Sequence, residues 1–246
     1  MSALIPFPDG GYSFLEGGFP YSQGVIALPG FAIERARFAQ PVPYLKAFDL
    51  ISGFLKEKQR PLTALCAAEL RSPKPFTFAG FGDFNKGYVA VLEKWNIFRD
   101  GKNPVARSNV APEIDPPGEP CFYAFCYTVP AEQADGFVVA GSGEWPEGGR
   151  FPDDIVARGD TSPAGMKRKA EFVLGKMDER IKGLGARWEW ATVSQLYTVH
   201  DVPVRTIQER VGKSALTWHY CRPPIEGLDY EMDLRGVSVE RVLSAT

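Results

Sequence analysis

The sequence predicts an α+β protein made of two similar halves, each a β-sheet packed by two helices. Three observations carry that prediction. Short apolar runs broken by Gly and Pro alternate with longer stretches whose apolar positions recur every three or four residues. The order of these segments in the first half largely recurs in the second, and the changeover falls near Pro130. At 246 residues the chain is long enough for two domains of about 120 residues each. The expected spans are therefore 1–130 and 131–246.

Tyr12 to Phe38 mixes glycines, aromatics and β-branched residues, which suits two short strands and a turn. From Pro41 to Lys58 the positions Leu45, Phe48, Ile51, Phe54 and Leu55 fall at helical spacing, and Pro61 ends the pattern. Leu62 to Leu70 is a compact apolar run that fits a buried strand. Phe81, Phe84, Tyr88, Leu92 and Trp95 mark a second helix, and Asn103-Pro104 breaks it off. Two more strands are expected at Val105–Ala111 and Cys121–Val129, separated by a turn at Asp115-Pro116-Pro117-Gly118.

The second half opens on an apolar strand, Phe137–Ala140. A long amphipathic helix runs from about Asp160 to Leu184, with Asp160 or Thr161 as its cap. Strand-like Trp190–Val199 follows, then a shorter helical stretch near Val204–Val211 and strands near Ala215–Cys221 and Tyr230–Val237. This copy has no counterpart of the opening hairpin, so its sheet either borrows a strand or goes without one.

Hydrophobic residues make up 44% and charged residues 24%, enough apolar content for a core without disulfides or metals. With a formal net charge of −2 and no basic run, a nucleic-acid partner is disfavoured, because phosphate binding needs clustered cations. Cys66, Cys121, Cys126 and Cys221 form no CxxC pair, and His200 and His219 are the two histidines, so no zinc site is expected. The N-terminal residues lack a basic segment followed by an apolar core, and no run approaches the length of a membrane span. A cytoplasmic protein with reduced thiols and no membrane partner is expected.

Pro20-Tyr-Ser-Gln-Gly-Val25, the helix bearing Asn85 and Tyr88, and the strand Val105-Ala-Arg-Ser-Asn-Val110 together resemble the Rid (reactive intermediate deaminase, YjgF-like) superfamily. Val139-Ala-Gly-Ser-Gly143 and Gly159-Asp-Thr161 extend the resemblance into the second half. There Leu216 stands where that family carries its arginine, which implies a degenerate, structural second domain. The resemblance implies a tandem pair of chorismate-mutase-like domains, ligand clefts between domains, no cofactor and a homo-oligomer.

It also implies a site. Arg107 would hold the carboxylate of an imine or enamine substrate, since a guanidinium presents a planar, permanently charged fork. Ser108 and Asn109 would add donors, Tyr21 a phenol and Asn85 a further polar contact, while Tyr123 stands in place of the family's glutamate. Arg71 is a possible second anion-binding group or a solvated strand end. Read without the resemblance, Arg107 is a strand arginine paired with an acid such as Glu69 or Glu113, Tyr21 and Tyr123 are packed aromatics, and Asn85 satisfies backbone groups. The implied function is hydrolytic deamination of a carboxylate-bearing imine or enamine, of the 2-aminoacrylate or 2-aminomuconate kind. The alternatives are a non-catalytic binder of a carboxylated metabolite and a ring-opening or amide hydrolase on the same fold. Such hydrolases resemble cyanuric acid hydrolase or the chorismatases, whose motifs are not found here.

Overall fold

A computed structural model describes residues 2–244; the first residue and the last two of the expected spans lie outside the described residues. Thirteen strands in the described residues form two mixed sheets, and four α-helices cover their outer faces. In chain order the strands are β1 (Leu4–Phe7), β2 (Tyr12–Leu15), β3 (Gly24–Ala27), β4 (Phe31–Pro43), β5 (Leu65–Arg71), β6 (Ala106–Pro112) and β7 (Cys121–Pro130). They continue with β8 (Phe137–Gly143), β9 (Val193–Tyr197), β10 (Ala215–His219), β11 (Cys221–Arg222), β12 (Glu231–Gly236) and β13 (Glu240–Leu243).

Helix α1 (Tyr44–Glu57) buries Ala47, Phe48, Ile51 and Leu55, one stripe of a 3.6-residue period, while Leu45 lies outside that stripe in solvent. Helix α2 (Phe78–Lys94) is capped by Thr77, whose hydroxyl oxygen accepts from the Gly80 N–H at 3.1 Å. Its buried stripe of Phe81, Tyr88, Val89 and Leu92 also contains Asn85, an amide where the pattern calls for an apolar group. Helix α3 (Pro163–Leu184) is capped by Ser162 rather than Asp160 or Thr161. Asp160 instead accepts from the Ser162 N–H at 3.0 Å, an Asx turn that delivers the chain to the helix. Helix α3 buries Lys169 and Arg180 among its apolar residues, and α4 (Val204–Val211) packs beside it.

The expected pair of chorismate-mutase-like domains, each with its own sheet, is corrected by the strand order. The seven-stranded sheet runs β1-β2-β3-β8-β12-β9-β10 and the six-stranded sheet β11-β6-β5-β7-β4-β13, so each takes strands from both sides of residue 130. The second-half strand β8 is completed by the opening hairpin: Gly24, Val25 and Ile26 of β3 pair with Val139, Val138 and Phe137. In the other direction, β11 pairs with β6 and β13 lies parallel to β4. The physical reason is edge satisfaction: β8, β6 and β4 would each expose a row of unpaired peptide groups unless the other half supplied a partner.

Apolar residues of α1 and α2 pack on the six-stranded sheet, and those of α3 and α4 on the seven-stranded sheet. Between the sheets the layer is apolar at one end, through Phe7, Tyr12, Phe14, Val25 and Ile33. Elsewhere it is polar. Strand alternation turns Asp233 and Arg235 of β12 and Gln195 and Tyr197 of β9 toward Arg35, Glu69 and Arg71 of the facing sheet. Arg35 grips Glu69 with two hydrogen bonds of 2.6 and 2.8 Å and so holds that carboxyl well below the usual range despite its burial. Asp233 accepts from Gln195 and from the Tyr197 hydroxyl, each at 2.8 Å, and the His219 ring stacks on Tyr197 with its Nε2 3.1 Å from Gln195 Oε1.

Burial, and then the nearby charge of Arg71, lower the His219 pKa to about 4. A base held neutral in the folded chain contributes stability that is lost as pH falls from the unfolded value of about 6.5 toward 4. His219→Phe, which keeps the stack on Tyr197, is therefore expected to lose less thermal stability than the parent protein across that window, measured by circular dichroism melting. A parent-to-variant difference that stays constant from pH 6.5 to 4 would contradict this account.

Candidate active site

Where the edge of the six-stranded sheet meets β8 and β12, the two sheets and α2 enclose a cavity of about 370 Å³. Strand β6 crosses its floor. Alternation along β6 turns Arg107 and Asn109 toward α2 and the cavity, and Ser108 to the opposite face. Arg107 is 2% exposed. Its Nη2 donates to Asn85 Oδ1 at 2.7 Å, which explains the polar interruption in the α2 stripe. The rings of Tyr21, Phe81, Phe84 and Tyr88 surround the guanidinium at 4.8–5.9 Å from its Cζ.

Three lining side chains carry buried N–H groups with no acceptor: Arg107 through Nη1, Asn109 through Nδ2 and Trp145 through Nε1. Asn109 has its oxygen engaged, accepting from Ser72 Oγ at 2.9 Å. Unsatisfied buried donors are rare, and three around one cavity describe a receptor for an acceptor-rich group.

The carboxyl of Glu231, at the start of β12, completes the polar lining. Burial and then the charge of Asp233 raise its pKa well above the usual carboxyl value, against the pull of Arg107 and Arg180. It therefore keeps its proton to a higher pH than an exposed glutamate. Burial likewise raises the Tyr21 phenol, again against Arg180 and Arg107, so both groups lie within the field of both guanidiniums.

Two local devices seat Glu231. Opposite Asp233, β8 carries a bulge at Ala140 and Gly141, between the pairs Val139–Leu234 and Ser142–Met232. The carbonyls of both bulge residues accept from Arg180 Nη1, at 2.8 and 3.2 Å. A Cβ on Gly141 would overlap the Glu231 carboxylate, so glycine here is a condition of the side chain's position. Directly before Glu231, a fully buried Lys169 ammonium donates to Glu144 at 3.1 Å and to Asp229 at 2.7 Å. Glu144 in turn accepts the backbone N–H groups of Asp229 and Tyr230 at 2.6 and 3.1 Å.

Of the residues singled out in the sequence, Arg107, Asn109, Asn85 and Tyr21 meet in this cavity. Ser108 and Tyr123 do not. Ser108 faces the layer between the sheets, and the ring of Tyr123 lies there beneath Arg71, 4.2 Å from its Cζ. Arg71 is buried between Tyr123 and Tyr197, neither a solvated strand end nor a wall of the cavity. The acids considered as partners of Arg107 are engaged elsewhere, Glu69 with Arg35 and Glu113 with Arg222. Leu216 packs against the second apolar core.

Sequence reasoning missed Glu231, Arg180, Trp145 and Glu147. The available signal was modest: Glu231, Asp233 and Arg235 place charge at every second position of an otherwise apolar strand, and Lys169 and Arg180 sit on the apolar face of α3. Among the described residues no group of three or more His, Cys, Asp or Glu side chains converges as a metal site requires, and no helix is long and apolar enough to cross a membrane.

A family model described as 2-aminomuconate deaminase CnbZ matches residues 4–241. The 2-amino-5-chloromuconate deaminase of Comamonas testosteroni is 46% identical over 252 residues, which cover 99% of this chain and all of that protein. Among solved structures, a chorismatase aligns with a TM-score of 0.51 at 11% identity over 92% of this chain and 77% of its own. A cyanuric acid hydrolase from A. caulinodans aligns at 0.43 and 10% identity, over 85% and 67%. These findings overturn the Rid assignment: the matching family is a different one, and the fold likeness is to a chorismatase.

Gly141→Ala tests how Glu231 is held. The closest obstruction is the end of the flexible Glu231 side chain, and Ser108 Cβ at 3.1 Å has to give by only a few tenths of an ångström, so the fold is expected to survive while the carboxyl moves toward water. Its titration, followed by carboxyl ¹³C NMR, should shift down toward the ordinary range; an unchanged titration would show that Gly141 does not seat it.

Proposed function

The chain belongs to the 2-aminomuconate deaminase CnbZ family, and from that premise we propose that it hydrolyses a six-carbon enamine dicarboxylate of the 2-aminomuconate type in the cavity around Arg107 and Glu231. The observation that carries the assignment to this cavity is the pairing of unsatisfied buried donors with a carboxyl that retains its proton.

The chemistry needs three things. The enamine must be protonated on carbon, which turns C=C–NH₂ into H–C–C=NH₂⁺. Water must then add to the iminium carbon with loss of a proton, and the resulting carbinolamine must expel ammonia to leave a 2-oxo acid. Glu231 is suited to the first step, because burial raises its pKa and lets it keep a proton where an exposed glutamate has lost it. As the carboxylate it then formed, it would take a proton from the attacking water. Arg107 and Asn109 would hold the carboxylate next to the amine-bearing carbon, with Asn85 acting as a positioning residue that fixes the guanidinium. Tyr21 would offer its phenol to the nitrogen or to the water.

Ammonia release and loss of the conjugated chromophore of enzymatically generated 2-aminomuconate test this reading. Arg107→Ala should lower kcat/KM by roughly 10- to 100-fold, the worth of charge-assisted hydrogen bonds. Glu231→Gln should lower kcat by about 10²- to 10⁴-fold with binding retained. Since the acid form is the active one, kcat should fall as pH rises through the elevated Glu231 pKa. Normal turnover by Glu231→Gln would remove Glu231 from the mechanism.

A further inference from the structure

Glu147, on the loop after β8, places its carboxylate in the cavity wall between two donors. Arg180 Nη2 reaches Oε1 at 2.6 Å and Gln23 Nε2 reaches Oε2 at 2.6 Å, so each oxygen has its own N–H. This is the geometry of a carboxylate receptor. Its cation does not depend on Glu147 for position, because Arg180 is 3% exposed and its other amino group is tied to the carbonyls of Ala140 and Gly141. The glutamate is less constrained. Its side chain is 50% exposed and it precedes Gly148 and Gly149, the first of which adopts a left-handed φ of 76°.

We infer that Glu147 occupies the site of the substrate's second carboxylate and is displaced by it. The inference rests on the proposed reading of Arg107 as anchor of the first carboxylate. Besides the desolvated carboxyl of Glu231, the cavity lining holds the cations Arg107 and Arg180 and the carboxylate of Glu147. A dianionic substrate matches two cations. Once Glu147 swings out to solvent, Arg180 and Gln23 donate to the distal carboxylate the hydrogen bonds they had given the glutamate, so the buried guanidinium keeps an anionic partner while the half-exposed glutamate regains water. A monocarboxylate would engage the Arg107 end and leave Glu147 in place. Arg180 and Gln23 thus make the site selective for dicarboxylates, and Glu147 is an internal competitor on that distal anchor that moderates the preference.

Two stable probes separate the possibilities: muconate, the six-carbon diene dicarboxylate without the amine, and sorbate, its monocarboxylate counterpart. Dissociation constants are measured on the full chain by titration calorimetry. Glu147→Ala should tighten muconate by about tenfold, the scale of one charge-assisted hydrogen bond, and move sorbate by less than about twofold. Glu147→Gln should act in the same direction more weakly, and Gln23→Ala should weaken muconate selectively. If Glu147→Ala leaves muconate unchanged, or weakens both probes alike, Glu147 is a loop latch and the inference fails. Arg107→Ala supplies the separate control. Weakening of both probes by that variant supports the underlying reading whatever Glu147 does, and no effect on either would overturn that reading itself.

Discussion

Arg107 carries a permanent positive charge into the interior with an amide oxygen, not a carboxylate, as its hydrogen-bond partner. Removing a guanidinium from water without a counter-ion is costly, and the surroundings offset that cost only in part. Four aromatic rings lie within cation–π distance of it, and the Asn85 amide oxygen accepts from it. Glu231, the acid within its field, is so desolvated that burial outweighs the attraction and its pKa lies well above that of an exposed carboxyl. The cavity therefore holds a cation whose natural complement is a ligand. Asn85 on the apolar stripe of α2, the spare N–H of Asn109 and the aromatic wall all follow from that requirement.

The groups around that cation are fixed by charge as well as by packing. Lys169 and Arg180 lie one above the other along the buried side of α3, eleven positions apart. Lys169 draws Glu144 and Asp229 together at the mouth of β12, and Arg180 occupies the carbonyls that the β8 bulge leaves out of the ladder. Both act on the two strands that bear Glu231 and its glycine neighbour. Buried ion pairs of this kind contribute little net stability, but breaking one leaves an uncompensated charge, so they hold position firmly.

Much of the local structure could be read from the residues. The helical spacing of Phe48, Ile51 and Leu55, of Phe81, Tyr88 and Leu92, and of the long stretch ending at Leu184 corresponds to α1, α2 and α3, because each helix buries a single stripe. Strands β1 and β13 escaped notice; four residues each, they have burial patterns that a short window cannot distinguish from loop. The sheet order was hidden for a different reason. Pairing of β3 with β8 joins segments more than a hundred residues apart, and period-2 patterning says which face a strand buries without naming its neighbour. The site was legible to the same extent. Arg107, Asn85, Asn109 and Tyr21 lie on segments whose local structure was clear. Tyr123 was assigned by its place in a motif, and strand alternation turns it into the polar layer instead, while Glu231 enters the cavity from across the chain.

The parallel pairing of β13 with β4 has a bearing on how the chain is made. Glu240 lies beside Arg35 and bonds to it, as well as to Arg235, across a separation of 205 positions in the first case. During synthesis β4 emerges early, and its stretch Arg35–Phe38 stays an open strand edge until residues 240–243 leave the ribosome. Contacts of such separation carry a large loop-closure cost and form late, and the interim species offers a strand edge to any neighbouring nascent chain.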